Sequence, residues 1–290
     1  PSWLESLAAA HPTAVEDVLG PELTSELNEI ATVGSYLMLL QRVGHAAPSL
    51  ATLFLPRLRV WFDENGQHMR EGEDSTRVAA RLREVVDVLL KYGDAKTREH
   101  ICTVAVQQLG DGLDPVFAYV WLPTLMRLDP AAGTERLEQG LSGVEPGPEG
   151  PGVDWTSFLF GESRSQALAN LCIPKFTPAL LLRLVRLAYR YVRPSEDISH
   201  EGAYSPGPRD HAQRARDILL NALLSAKGSE GWATKLEMVN DPLLADFRDR
   251  ALLIAREKSA EETDGVAFSE AEVTALDRNR EAPPATRDGM

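Results

Sequence analysis

One signature occurs twice in this chain and limits what it can fold into. The segments are Pro48-Ser-Leu-Ala-Thr-Leu-Phe-Leu-Pro56-Arg-Leu58 and Pro115-Val-Phe-Ala-Tyr-Val-Trp-Leu-Pro123-Thr-Leu125. Each first proline follows a turn and suits the first helical position, where its missing N–H would be unpaired anyway. Each second proline sits two turns in, where it removes a backbone bond and is expected to kink the helix. A kinked apolar helix recurring in this form predicts stacked helix pairs, because no single pair can bury its apolar face alone. The fold expected is all-α, an irregular HEAT- or armadillo-like α-solenoid. The expected division is 1–142 as N-terminal helical repeats and 154–290 as C-terminal repeats on the same stack, joined by a projecting Pro/Gly-rich loop at 143–153.

Helical periodicity runs through most of the sequence. Trp3, Leu4, Leu7 and Ala8 share one helical face, and Gly20-Pro21 is expected to interrupt a second helix. Ser35 to Val43 and Pro48 to Phe62 form the next pair, and the hydrophilic stretch Asp63 to Asp74 reads as a surface loop. Ser75 and Asp94 read as caps for the two helices that follow, with Gly93 between them. Asp129-Pro130 and Thr177-Pro178 open further helices, the second running to Val192. Helices are also expected over Ser163–Leu171, Arg209–Ala226, Ser229–Val239, Pro242–Ala260 and Ser269–Asp277. Trp61, Trp121, Trp155 and Trp232 fall at apolar positions and read as core.

Composition excludes several function classes. The formal net charge of −13 opposes sequence-independent nucleic-acid binding, which depends on neutralising phosphates, and opposes an anionic membrane surface. The two cysteines, Cys102 and Cys172, lie in unrelated apolar segments and read as buried thiols of a reducing cytoplasm. No apolar run reaches membrane-spanning length, and residues 1–10 lack the pattern of a signal peptide. The chain starts at Pro1 and is expected to be a piece of a larger protein.

Catalytic motifs are absent from the sequence. It contains no Gly-x-x-x-x-Gly-Lys-[Ser/Thr], Gly-x-Gly-x-x-Gly or Gly-x-Ser-x-Gly, so neither a phosphate loop nor a nucleophile elbow of those types is present. Asp197, His200, Glu201 and His211 are the one set resembling metal ligands. They straddle a Ser-Pro-Gly-Pro loop instead of sharing a helix face, so no metal or other cofactor is expected. Arg183, Arg186, Arg190 and Arg193 recur at helical spacing, and with Arg209, Arg214 and Arg216 they form a candidate partner-binding stripe. The competing reading is a solvated face whose arginines pair with Glu196, Asp197 and Asp217.

Residues 191–219, with His11–Leu19, Asn240–Ala251 and Phe268–Val273, resemble the helical region of large bacterial multidomain proteins of the signal-transducing NTPase type (STAND/NACHT-like), associated with antiphage defence. The resemblance implies a non-catalytic helical scaffold or sensor that binds a protein partner or neighbouring domains of its own polypeptide. The family's enzymatic residues have no counterpart here. The alternatives are a metal-dependent helical hydrolase using the 197–211 set, and a HEAT-like nucleic-acid binder using the 183–216 arginines, which the net charge opposes.

Overall fold

Aspartate starts three of the longer helices. Asp74, Asp94 and Asp129 each accept a hydrogen bond from the backbone N–H three residues on, at 2.9, 2.8 and 3.0 Å, and Thr177 does the same for Leu180 at 3.3 Å. These side chains satisfy donors that a helix start leaves open. Asp94 also accepts the Thr97 hydroxyl at 2.5 Å, and the Thr97 bonds hold its carboxyl down to about 2. The cap expected at Ser75 is therefore Asp74, one residue earlier.

The structure, a computed structural model, describes residues 3–34, 36–45, 48–65, 69–110, 115–161, 173–200, 202–248 and 252–253. Its helices are α1 (Trp3–Ala10), α2 (Pro12–Asn28), α3 (Met38–His45), α4 (Pro48–Asn65), α5 (Ser75–Tyr92), α6 (Ala95–Leu109), α7 (Pro115–Leu128) and α8 (Pro130–Gly140). After these come α9 (Pro151–Thr156), α10 (Pro178–Tyr191), α11 (Pro208–Leu224) and α12 (Gly228–Val239). Among the described residues there is no strand, and the all-α class stands. The chain divides into two compact units, Pro1–Leu219 and Leu220–Met290. The expected helices over 163–171, 254–260 and 269–277 lie outside the described residues, and Pro242–Phe247 is a 3₁₀ turn.

The duplicated proline segments are both helices, and each runs on through its second proline. Counting from the first proline, four positions are buried in both. Ala51, Phe54, Leu55 and Leu58 match Ala118, Trp121, Leu122 and Leu125. Pro56 is exposed and Pro123 half-buried, so neither proline falls in the buried seam. Gly20-Pro21 likewise fails to break α2, which is continuous from Pro12 to Asn28.

In the first unit, α4 packs on α5, α6 on α7 and α7 on α8, while α5 also meets α7 directly. Val78, Leu82, Val85, Val86 and Leu89 of α5 are buried among them, and Phe62 meets Trp121 edge-to-face at 6.1 Å. Trp61, Trp121 and Trp155 are core, as expected; Trp232 is not, being 42% exposed.

The 143–153 segment, expected as a projecting loop, is irregular and exposed or half-buried as far as Gly150. It lies inside the first unit, where the Tyr191 hydroxyl donates to Val144 O at 3.4 Å and Arg209 reaches Pro148 O at 3.4 Å. Its end forms α9, and the chain continues as a π turn, Ser157–Gly161. Glycine is required where this stretch meets its neighbours. A Cβ on Gly152 would sit 2.3 Å from the Tyr191 ring, and one on Gly161 1.9 Å from the His211 carbonyl oxygen. Gly143 and Gly150 instead have positive φ, at 83° and 120°, which favours glycine for its backbone freedom.

In the second unit, Leu223, Leu224, Met238 and Leu244 are buried, and Asp241 accepts from Leu243 N–H at 2.9 Å.

Candidate functional site

Helix ends leave carbonyls without intrahelical partners and carry partial negative charge. Here those carbonyls are taken by donors from elsewhere in the chain. At the end of α2, Arg81 donates to Leu27 O and Glu29 O, both at 2.8 Å. Arg70 donates to Asn28 O at 2.7 Å and Glu29 O at 2.9 Å, and Trp61 donates to Leu27 O at 3.1 Å. The same device recurs at the end of α5 (Arg98 to Leu90 O, 3.2 Å), of α6 (Arg136 to Gly110 O) and of α7 (Lys175 to Arg127 O, 3.1 Å). At α8 it is the Tyr191 hydroxyl, 2.7 Å from Leu141 O.

The arginines of the candidate stripe divide along this line. Arg209 and Arg216 are buried and cap the end of α10. Arg216 donates to Val192 O at 2.9 Å and grips both oxygens of Asp197 at 2.8 and 2.6 Å. Arg209 donates to Arg193 O at 2.9 Å and lies 3.4 Å from Glu196. Burial pulls Arg216 down, but the Asp197 hydrogen bonds and charge carry it above the ordinary guanidinium value. These two face inward and are not part of a solvent-open stripe, which corrects the expected continuity.

Arg183, Arg186 and Arg190 do share the outer face of α10. Arg183 makes a two-pronged pair with Glu138 of α8, at 3.1 and 2.5 Å, and the Glu138 hydrogen bond raises its pKa. Arg186 is half-buried. Arg190 is exposed and lies over the Tyr191 ring. Arg193 is 3.7 Å from Glu196, and Arg214 is exposed on α11.

Of the set resembling metal ligands, Asp197 and His200 have other partners, whereas His211 Nδ1 is buried without a hydrogen-bond partner. Asp197 belongs to Arg216. His200 Nε2 lies 2.7 Å from Asp210 Oδ1, with Tyr204 stacked on the imidazole at 3.6 Å. Asp210 Oδ2 accepts Gly207 N–H at 2.8 Å, and that bond, with the His200 pair, lowers its pKa. This arrangement staples the 197–207 loop to the start of α11. Glu201 and Cys172 lie outside the described residues. Cys102 is half-buried, and burial pushes its thiol up, so it is a weak nucleophile.

Two features escaped the sequence reading. Glu73, in the stretch read as a surface loop, has a side chain only 2% exposed and lies 3.6 Å from Arg81. It accepts Arg70 N–H at 2.8 Å, Ala31 N–H at 3.2 Å and the Arg70 guanidinium at 2.7 Å. The available signal was Arg81 itself, an arginine on the apolar face set by Val78, Leu82 and Val85. The second feature is the N-terminal surface. The face Trp3, Leu4, Leu7 and Ala8 is not buried as a unit: only Ala8 is, and Trp3 is 75% exposed. Of the sixteen large apolar side chains exposed among the described residues, seven are Trp3, Leu7, Val18, Ile30, Val33, Tyr36 and Met38.

Four of these fall within nine residues, on a strap that runs from the end of α2 to Met38, the first residue of α3. The strap is held at both ends. Arg70, Arg81 and Glu73 fix it at Leu27–Ala31, where Asp74 N–H also donates to Ala31 O at 2.7 Å. At the α3 end, the Glu26 carboxylate accepts the N–H groups of Leu39 and Leu40 at 2.8 and 2.9 Å. An apolar strap on an ordered polar frame can present side chains to a partner at low entropic cost. No family model, curated protein or solved structure matches this chain.

Proposed function

We propose that this chain is a non-catalytic interaction module of a larger protein, a scaffold or sensor that takes a protein partner on its N-terminal apolar surface. The observation that carries this reading is the strap, with Ile30, Val33, Tyr36 and Met38 outward on a backbone pinned by Arg70, Arg81, Glu73 and Glu26. The division of labour among the polar residues supports it. Glu73, Asp197, His200 and Asp210 are engaged in capping and stapling, and among the described residues no three His, Cys, Asp or Glu side chains are grouped to hold a metal ion. The direct α5–α7 neighbourhood supports an irregular HEAT-like stack of helix pairs. Placement beside an NTPase of the signal-transducing type, in a cytoplasmic defence protein, is part of the same proposal and rests on the sequence resemblance. Among the described residues no helix is long and apolar enough to cross a membrane.

The test is the double variant Val33→Asp/Tyr36→Asp in the full-length protein. Because both side chains are exposed, thermal unfolding should match the parent, while a partner identified by mass spectrometry and reconstituted from purified components should bind at least about tenfold more weakly. Undiminished binding by the variant defeats the reading. So does a hydrolytic activity of the chain that disappears with Asp210→Ala.

A further inference from the structure

We infer that the N-terminal surface receives a basic amphipathic segment of its partner, in which Lys or Arg flank large apolar side chains. This rests on the interaction-module reading and names the chemistry of the occupant.

The inference comes from charge. Residues 1–41 carry six carboxylates (Glu5, Glu16, Asp17, Glu22, Glu26, Glu29) and no lysine or arginine. The cations that approach from other elements are engaged by acceptors of the chain itself. Arg57 pairs with Glu16 at 2.6 Å, and Arg70 and Arg81 are directed at Glu73 and the α2 carbonyls. Glu26 is engaged by the start of α3. Asp17, Glu22 and Glu29 remain exposed beside Val18 and Ile30, and Glu71 is exposed beside Met69, itself 53% exposed. Arg42, one turn beyond Met38, and Arg70, which is held by Glu73 and the α2 carbonyls, are exposed arginines at the edges of the strap, and the carboxylates outnumber them. An acidic rim around outward apolar side chains repels phosphate-bearing partners and attracts cationic ones, while the apolar centre supplies most of the affinity. A helix with one cationic and one apolar face satisfies both parts at once.

The experiment uses the whole chain and a synthetic Leu/Lys amphipathic peptide of about five helical turns, with fluorescence anisotropy at about 0.15 M salt. The comparison peptides are a Leu/Glu analogue and a Leu/Lys scramble of the same composition without an apolar face. We expect the amphipathic Leu/Lys peptide to bind and the other two to bind at least about tenfold more weakly. Val33→Ser/Tyr36→Ser should weaken binding about tenfold with unchanged circular dichroism and melting temperature. Glu22→Gln/Glu29→Gln should weaken it about threefold and flatten its salt dependence. Glu145→Gln/Glu149→Gln, which removes two exposed carboxylates elsewhere, should leave it unchanged.

Failure to bind, equal binding of the scramble, or equal loss with Glu145→Gln/Glu149→Gln overturns the inference. It is also overturned if sedimentation shows a dimer of the wild-type chain that Val33→Ser/Tyr36→Ser makes monomeric, since a second copy would then cover the surface. If the peptide fails but Val33→Asp/Tyr36→Asp still releases the natural partner, the interaction module stands and only the basic chemistry is wrong. If both fail, both readings fall.

Discussion

The ends of α2 and α10 are closed in the same way, by two arginines that reach across from elsewhere in the chain, yet the two clamps differ in how the arginine charge is met. At α10, Arg216 holds both oxygens of Asp197 at hydrogen-bond distance, and its pKa is raised despite burial. At α2, Arg81 is 3.6 Å from Glu73 and makes its hydrogen bonds to carbonyls. Burial is the largest influence there, and the Arg81 pKa is lowered. The roles of the carboxylates are exchanged as well. Asp197 is one-third exposed and serves its arginine, whereas Glu73 is buried and is served by Arg70. The terminal nitrogens of a buried guanidinium can thus be engaged by an ion pair or by helix-end carbonyls, while Nε of both Arg81 and Arg216 is left without a hydrogen-bond partner. The two solutions should respond differently to mutation and to pH.

The largest effect is expected from Arg216→Gln. It leaves Asp197 and Val192 O without their donor at a side chain 5% exposed, and should cost about 3 kcal/mol in denaturant unfolding, the low end for breaking a buried pair. A loss below about 1 kcal/mol would mean that this clamp behaves as a surface pair. Arg81→Gln should cost less, about 2 kcal/mol, because Glu73 keeps Arg70 and the hydrogen bonds lost are to carbonyls. If Arg81→Gln proves the costlier change, carbonyl capping outweighs ion pairing and the comparison reverses.

A pH series separates the clamps further. Burial raises the Glu73 pKa, but its bonds to Arg70 and Ala31 outweigh that and leave it below the ordinary 4.5. A depressed folded pKa stabilises above the unfolded value and loses that stabilisation as pH falls through the folded one. Glu73→Gln should therefore be less stable than the parent at neutral pH, and the gap should close progressively below about pH 4.5. A gap that stays constant down to the acid transition would show that the Glu73 charge does not support the α2 clamp.

The smallest effect is expected on the outer face of α10. Arg183 and Glu138 are 39% and 34% exposed, so solvent screening limits Arg183→Gln to about 0.5 kcal/mol. If that change rivals Arg216→Gln, exposure does not separate the two classes of arginine.

Helix starts were legible because they are local. Asp94, Asp129 and Thr177 cap the N–H groups three residues on, as their positions in sequence require, and Gly93 closes α5. The buried seam of the duplicated proline helices was legible for the same reason, since spacing alone puts Phe54 with Leu58 and Trp121 with Leu125. Of the prolines, only Pro21 misled about continuity, since Gly20-Pro21 was expected to interrupt α2. Pro21, Pro56 and Pro123 each lie within an unbroken helix.

Helix ends were not legible, and this explains the mistaken part of the arginine stripe. Arg209 and Arg216 have the same spacing and flanking sequence as surface arginines. What separates them is where the carbonyls of Tyr191, Val192 and Arg193 come to lie, and that depends on how α10 meets α11. The exposed strap was hidden in the same way. Nothing local marks Trp3, Val33 and Tyr36 as exposed, since apolar residues are usually buried, and only the packing of α1, α2 and α4 decides which of them find neighbours. The sequence by itself determined the all-helical class, the helix starts and the acidic, lysine- and arginine-free N-terminal stretch. The tertiary structure decided which charges are spent on helix ends and which apolar side chains remain outside, because both depend on partners far away in the chain.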